Sequence, residues 1–208
     1  MTKSQDSQNP AAATGLPVLS LEFTICGVGE LDAHCLRGVS HVISILDPEW
    51  PTPGAFLKFG AHERLDLRFH DVIDTLHGAT APGADEVARI LTFGRTLVAA
   101  DDPASSKMPH LLIHCHMGVS RSTAAAALVL AQTHPEMAAK DIISHIVQRR
   151  PQAWPNLRMM EIGDKRLKRG GELVSAVRAH YRRRVAEKPE LVEIMSGIGR
   201  DAELVGLR

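Results

Sequence analysis

The spacing of hydrophobic residues changes along the chain, and the changes predict strands and helices. LEFTICGV, SHVISIL and HLLIH are short apolar runs of the kind found in buried strands, and RLDLRF alternates with Leu65, Leu67 and Phe69 on one side. A short helix is predicted for GELDAHCLRG. Hydrophobic residues recur with helical spacing in three longer stretches, ADEVARILTFGRTLVAA, STAAAALVLAQ and AAKDIISHIVQRR. A further helical stretch runs from Asn156 to about residue 184, with a break at Gly170. Strands that alternate with helices predict an α/β domain with a mostly parallel central sheet flanked by helices.

The two ends of the chain differ from its middle. Residues 1–16 are small and polar and include prolines and glycines, which predicts a disordered tail. We assign residues 17–186 to the folded domain and 187–208 to a C-terminal extension, whose role the sequence does not indicate.

Charge and composition argue against several classes of protein, among them nucleic-acid binders and membrane-spanning proteins. Among 208 residues, 24 basic and 24 acidic side chains give a formal net charge of zero, which argues against a nucleic-acid binder. No apolar run approaches the ~18 residues of a membrane span, and the N-terminal residues lack the apolar core of a signal peptide. The three cysteines lack the spacing of a disulfide framework, which favours a reducing compartment. We therefore expect a cytoplasmic protein, with Cys26 and Cys35 as small core residues.

The segment HCHMGVSRS, residues 114–122, carries the candidate chemistry. Cys115 lies where a predicted strand ends and shortly before a helix begins, which is the edge where open α/β sheets bind ligands. Backbone N–H groups of such a loop, together with the helix N-terminus, form an anion site, and Gly118 permits the tight turn. Arg121 offers a planar fork for two phosphate oxygens. This setting favours a thiolate at Cys115 that attacks phosphorus, and Ser122 is placed to donate a hydrogen bond to that thiolate.

This segment resembles the signature H-C-x-x-G-x-x-R-[S/T] of the cysteine-dependent protein tyrosine phosphatases, with every fixed position present. The short chain is more similar to the dual-specificity branch, and the order of elements matches from about Ser20 to Leu167. The resemblance implies a dual-specificity phosphatase-like fold whose phosphate-binding loop lies between a central strand and a helix. It implies that Cys115 is the nucleophile and Arg121 the phosphate clamp. The implied cradle is the backbone of His116, Met117, Gly118, Val119, Ser120 and Arg121, with His114 and Ser122 as supporting residues.

The family also uses an aspartate as general acid, on a loop that follows a strand before the cysteine. Asp71 comes directly after the RLDLRF strand and is the first candidate. Asp74 is the second, and Asp66 lies inside the strand, where a structural role is expected. The Trp-Pro-Asp acid loop of the larger branch has no counterpart, because Trp50 and Trp154 are each followed by Pro and then by Thr or Asn.

The segment RRPQAWPN resembles the family segment whose asparagine packs near the phosphate loop. Asn156 is therefore a candidate brace for that loop, and a helix cap is the alternative.

These features predict a phosphatase that hydrolyses phosphomonoesters on proteins through a phosphocysteine intermediate. Phosphotyrosine is the expected substrate, and phosphoserine and phosphothreonine stay open. The loop has no lysine, which argues against a polyphosphate head group. We expect no metal and no cofactor, because His114 and His116 flank Cys115 without a metal-binding spacing. The alternatives are a binding module without catalysis, a phosphatase of non-protein phosphomonoesters, and a sulfurtransferase.

Overall fold

The predicted strands form one parallel sheet in the computed structural model, which describes residues 17, 19, 21–74, 78–99 and 108–207. The strands are β1 (Glu22–Gly27), β2 (His41–Leu46), β3 (Glu63–Arg68) and β4 (His110–Cys115), in the order β1-β4-β2-β3. The predicted fold class is therefore confirmed, with the motif strand β4 inside the sheet. The predicted disordered tail, residues 1–16, lies outside the described residues.

Helices connect and cover the strands. The segment predicted as a short helix after β1 is a 3₁₀ helix, Val28–His34, and a second 3₁₀ helix spans Gly54–Lys58. The α-helices are α1 (Ala84–Ala99), α2 (Arg121–Thr133), α3 (Ala139–Arg149), α4 (Leu157–Leu167), α5 (Glu172–Glu187), α6 (Leu191–Gly197) and α7 (Asp201–Leu204). The predicted break at Gly170 separates α4 from α5, where Gly170 and Gly171 both have positive φ.

The core lies where β4 and α2 meet. Every residue of β2 and β4 is buried, as their uninterrupted apolar runs predict for parallel strands that are covered on both faces. In α2 all residues from Arg121 to Ala131 are buried, so the motif leads directly into a helix that the core holds in place. Gly163 of α4 sits against Leu128 of α2, so closely that an added Cβ would lie 2.2 Å from Leu128 Cδ2. This central helix fixes the position of the loop that precedes it.

The C-terminal segment folds back onto the domain. Met195 of α6 and Leu204 of α7 belong to the main hydrophobic core, and Arg178 of α5 donates to the Val205 carbonyl at 3.4 Å. The boundary between a domain at 17–186 and an extension at 187–208 stays a prediction. Within the described ranges, no helix is both long enough and apolar enough to cross a membrane.

Candidate active site

Cys115 is the last residue of β4 and pairs in register with Gly27 at the end of β1. Its side chain is buried, and its Sγ accepts a hydrogen bond from Gly118 N at 3.2 Å. Ser122 Oγ lies 3.2 Å from the same sulfur, close enough for the hydrogen bond that the sequence predicts. The structure thus brings the sulfur, one loop amide and one hydroxyl together at the carboxyl edge of the sheet.

The carbonyl groups of residues 116–120 all point away from the inside of the loop, because donors outside the loop hold each one. The pairs are Val28 N to His116 O (3.0 Å), Arg150 Nη2 to Met117 O (2.7 Å), Arg150 Nε to Gly118 O (3.0 Å), Trp154 N to Val119 O (2.8 Å) and Asn156 N to Ser120 O (3.3 Å). Among the amides of these five residues, only Gly118 N has an acceptor within the described part of the chain. A loop whose carbonyls are tied outward presents its N–H groups inward, as an anion cradle requires.

Gly118 has a φ of +69°, in the left-handed region that favours glycine. A Cβ at this position would lie 2.5 Å from the carbonyl carbon of Cys26 and 2.7 Å from Gly27 N. The motif glycine is therefore needed both for its backbone angle and because β1 passes directly behind the loop.

Arg121 is buried, and two acceptors from outside the phosphate loop fix the position of its side chain. Its Nη1 donates to Asp47 Oδ1 at 2.5 Å and to the Phe69 carbonyl at 2.6 Å. Its Nε is buried without a partner among the described residues. A fixed guanidinium with an unused donor suits an arginine that binds a phosphate oxygen.

The two histidines of the motif differ. Burial and Arg121 lower the pKa of His116, which favours a neutral ring, and its Nε2 accepts from the Asp47 amide at 3.2 Å. The Trp50 ring packs edge-on against His116 with centroids 4.5 Å apart, so Trp50 packs beside the loop. His114 is fully buried next to Phe56, and no residue in the described ranges forms a hydrogen bond of normal geometry with either of its ring nitrogens. The supporting role expected of His114 therefore does not come from hydrogen bonds of its ring nitrogens.

Asp71 lies beside the phosphate loop and is 30% exposed. Its Oδ1 accepts from Ser120 Oγ at 2.7 Å and from Asn156 Nδ2 at 2.9 Å, and Arg200 Nη1 lies 3.4 Å away. No described residue hydrogen-bonds to Oδ2, so this oxygen is available to carry a proton. The structure therefore places the first candidate acid in direct contact with the loop.

The other two candidate acids lie apart from these contacts. Asp66 forms an ion pair with Arg64 on its own strand, with Arg64 Nε 2.9 Å from Asp66 Oδ2. Asp74 is exposed, and no described residue pairs with it. Geometry therefore favours Asp71 over both.

Asn156 has both of the roles that the sequence left open. Its Oδ1 accepts from Met159 N at 3.1 Å, which caps α4, while its Nδ2 donates to Asp71 and its backbone N to Ser120 O. The residue thus joins the phosphate loop, the candidate acid and the start of α4.

Among the described residues, the other two cysteines and the acidic side chains form neither a second nucleophilic site nor a metal site. Cys26 is buried and unpaired, and burial and Glu30 raise the pKa of its thiol to about 12, so it is not a nucleophile near neutral pH. The expectation that Cys35 is a core residue is wrong, because its side chain is partly exposed and donates to the Asp32 carbonyl. Across the described segments, no three His, Cys, Asp or Glu side chains form a group able to hold a metal ion.

Sequence reasoning missed four residues of this arrangement. Asp47 follows a buried strand at the ligand-binding edge of the sheet, a position that could have marked it. Arg150 precedes the AWPN turn in a segment already singled out, and it supports two loop carbonyls. Arg200 and Glu203 come from the C-terminal segment, and no sequence signal connected them with a loop about 80 residues earlier.

The comparisons with known proteins find similarity in the fold and not in the sequence. The sequence matches no protein-family model and no curated protein sequence. DUSP15 is a structural neighbour with a TM-score of 0.52 at 20% identity, over 74% of this chain and 92% of that chain. PTPMT1 in complex with PI(5)P has a TM-score of 0.51 at 18% identity, over 71% and 91% of the respective chains.

A third neighbour is the human tyrosine phosphatase-like serine/threonine/tyrosine-interacting protein. It has a TM-score of 0.50 at 17% identity, over 70% of this chain and 87% of that chain. The three neighbours confirm the fold that the sequence motif predicts.

Proposed function

We propose that this chain, which has the fold of the dual-specificity-like cysteine-dependent phosphatases, is a phosphatase that forms a phosphocysteine intermediate. The observation that carries the proposal is the loop at residues 116–120. All five of its carbonyls are held from outside, and the sulfur of Cys115 lies at its base. Inward N–H groups around a sulfur nucleophile bind the oxygens of a phosphate while the sulfur attacks the phosphorus atom.

Each side chain has a part in the first step. The Cys115 thiolate attacks phosphorus and forms the S–P bond, while the loop amides and Arg121 stabilise the charge on the phosphoryl oxygens. The P–O bond to the leaving group breaks, and Asp71 gives its proton to the departing oxygen.

In the second step a water molecule replaces the leaving group. Asp71, now a carboxylate, takes a proton from the water as it attacks phosphorus, which breaks the S–P bond. Ser122 Oγ, 3.2 Å from the sulfur, stabilises the thiolate that leaves. Phosphate is released and the enzyme returns to its starting form.

The substrate class is a protein phosphomonoester, with phosphotyrosine preferred. Met117 and Trp50, which are 71% and 44% exposed, give the loop surroundings an apolar surface suited to an aromatic ring. Residues 116–120 supply no lysine, and none of their side chains adds a fixed charge for a polyphosphate head group. The neighbour bound to PI(5)P keeps a lipid phosphate as the alternative substrate.

The test is hydrolysis of p-nitrophenyl phosphate between pH 5 and 8 by wild type, Cys115→Ser and Asp71→Asn. We expect no turnover by Cys115→Ser and a ~10²–10⁴-fold lower kcat for Asp71→Asn, which loses both the acid of the first step and the base of the second, with a flattened basic limb of the pH profile. Cys35→Ser and Asp74→Asn are matched controls, because Cys35 and Asp74 are absent from the contacts of the loop, and both should keep wild-type activity.

Two results would contradict the proposed phosphatase activity or its mechanism. Continued turnover by Cys115→Ser would show that the phosphocysteine mechanism is wrong. A wild-type protein that is inert but binds a phosphotyrosine peptide would instead be a binding module, which the phosphatase-like neighbour makes a concrete alternative.

A further inference from the structure

The C-terminal segment brings a buried ion pair to the back of the active site. Arg200, which precedes α7, and Glu203 within α7 are 3% and 0% exposed, and Arg200 Nη2 donates to Glu203 Oε1 at 2.6 Å. Glu203 also accepts from Trp154 Nε1 at 2.6 Å and from Leu157 N at 3.0 Å. These bonds attach the segment to the turn that supports the phosphate loop.

The other end of the Arg200 guanidinium faces the catalytic groups. Its Nη1 donates to Ser120 Oγ at 2.9 Å and lies 3.4 Å from Asp71 Oδ1. Ser120 Oγ in turn donates to the same Asp71 oxygen at 2.7 Å. A single nitrogen therefore contacts both a side chain of the phosphate loop and the candidate general acid.

Arg200 keeps its charge in this position. Burial opposes the charged form, but the Glu203 carboxylate, together with Asp71 whenever it is ionised, outweighs burial and raises the pKa of Arg200. The Glu203 carboxylate neutralises the charge of Arg200, so the guanidinium lies beside Asp71 without being an unpaired buried cation.

We propose that Arg200 is a positioning residue that orients Asp71 for proton transfer to the leaving group. This inference rests on the proposed function, because it assumes that Asp71 is the general acid. Arg200 joins Ser120 and Asn156 at Oδ1, which leaves Oδ2 as the oxygen that carries the proton. When that proton moves to the departing oxygen, Asp71 becomes a carboxylate beside a fixed cation, which stabilises it.

Two substrates with different leaving groups distinguish a positioning role of Arg200 from a merely structural one. Phenyl phosphate releases a phenol whose pKa is about 10, like that of tyrosine, and it therefore depends on protonation by the acid. p-Nitrophenolate leaves far more easily without protonation. The quantity to measure is kcat/KM, because it covers the steps up to cleavage of the P–O bond and not the later hydrolysis of the intermediate.

The experiment compares wild type, Arg200→Met and Asp71→Asn on both substrates at one pH. Arg200→Met should lower kcat/KM for phenyl phosphate by about 10-fold, a part of the ~10²–10⁴ that a general acid contributes. It should change kcat/KM for p-nitrophenyl phosphate by less than about 2-fold. Arg178→Met is the matched control, because Arg178 also contacts the C-terminal segment but not the site.

Arg200→Met leaves Glu203 without its cation, so the double variant Arg200→Met/Glu203→Gln accompanies it. The double variant removes both buried charges and keeps a side chain of similar shape at each position. Circular dichroism and thermal melting establish that each variant is folded before its rates are compared.

A selective loss on phenyl phosphate in both folded variants supports the inference. Equal losses on the two substrates, or no loss on either, would overturn it while leaving the phosphatase proposal intact. Absence of activity in wild type on both substrates would refute the proposed function and this inference with it.

Discussion

His114 provides a quantitative test of the packing behind the phosphate loop. Burial lowers the pKa of His114 from 6.5 to about 4, an effect that the neighbouring backbone of Cys115 and the carboxylate of Asp66 only partly oppose. Between these two pKa values the unfolded chain binds the proton and the folded chain does not. The free energy of unfolding therefore falls as the pH drops from about 6.5 towards 4.

The size of the effect follows from the two pKa values. One pKa unit corresponds to about 1.4 kcal/mol, and between pH 7 and pH 5 the His114 contribution amounts to about 2 kcal/mol. The variant His114→Phe keeps an aromatic ring beside Phe56 but cannot bind a proton. We expect the stability of wild type to fall by about 2 kcal/mol more than that of the variant over this range.

Urea unfolding at pH 7, 6 and 5 measures this difference. Other histidines with pKa values lowered by burial, such as His41, His145 and His180, occur in both proteins and cancel in the comparison. Parallel pH profiles for wild type and His114→Phe would show that His114 is not a buried, neutral residue, and the account of the packing behind Cys115 would be wrong.

Two glycine substitutions test close contacts elsewhere. Gly163→Ala should lower the unfolding free energy by about 1–2 kcal/mol in urea titrations, because overpacking against Leu128 exceeds the gain in helix propensity. Gly197→Ala in α6 is the control and should not lower the unfolding free energy, because the space around Gly197 is open. Gly118→Ala should lower kcat/KM for p-nitrophenyl phosphate by about 10²-fold, since its positive φ and the nearby β1 backbone both disfavour a Cβ. Gly29→Ala is the control, with no atom within 4 Å of the added carbon, and equal rates for both variants would contradict the described loop.

The sequence predicts those parts of the fold whose signal is local. Continuous apolar runs identified β2 and β4, and helical spacing identified α1 to α5, because burial on two faces or on one stripe leaves a direct pattern. The segment after β1 was expected to be an ordinary helix and is a 3₁₀ helix, a difference of hydrogen-bond spacing that hydrophobic pattern does not report.

Candidate site residues were predictable where one short segment holds them. The sulfur, the glycine and the arginine of residues 114–122 lie within nine positions, so spacing alone indicates a shared loop. Asp47, Arg150, Arg200 and Glu203 meet that loop through tertiary packing from separate elements. Their roles depend on distances such as the 2.9 Å between Arg200 Nη1 and Ser120 Oγ, which no local pattern encodes.

The measurement that tests the central claim most directly is a rapid acid quench of wild type during turnover of p-nitrophenyl phosphate, followed by peptide mass analysis. The account predicts a mass increase of one phosphoryl group on the peptide that contains Cys115, and no such increase for Cys115→Ser. A phosphoryl group on any other residue, or turnover by the Cys115→Ser protein, would contradict it.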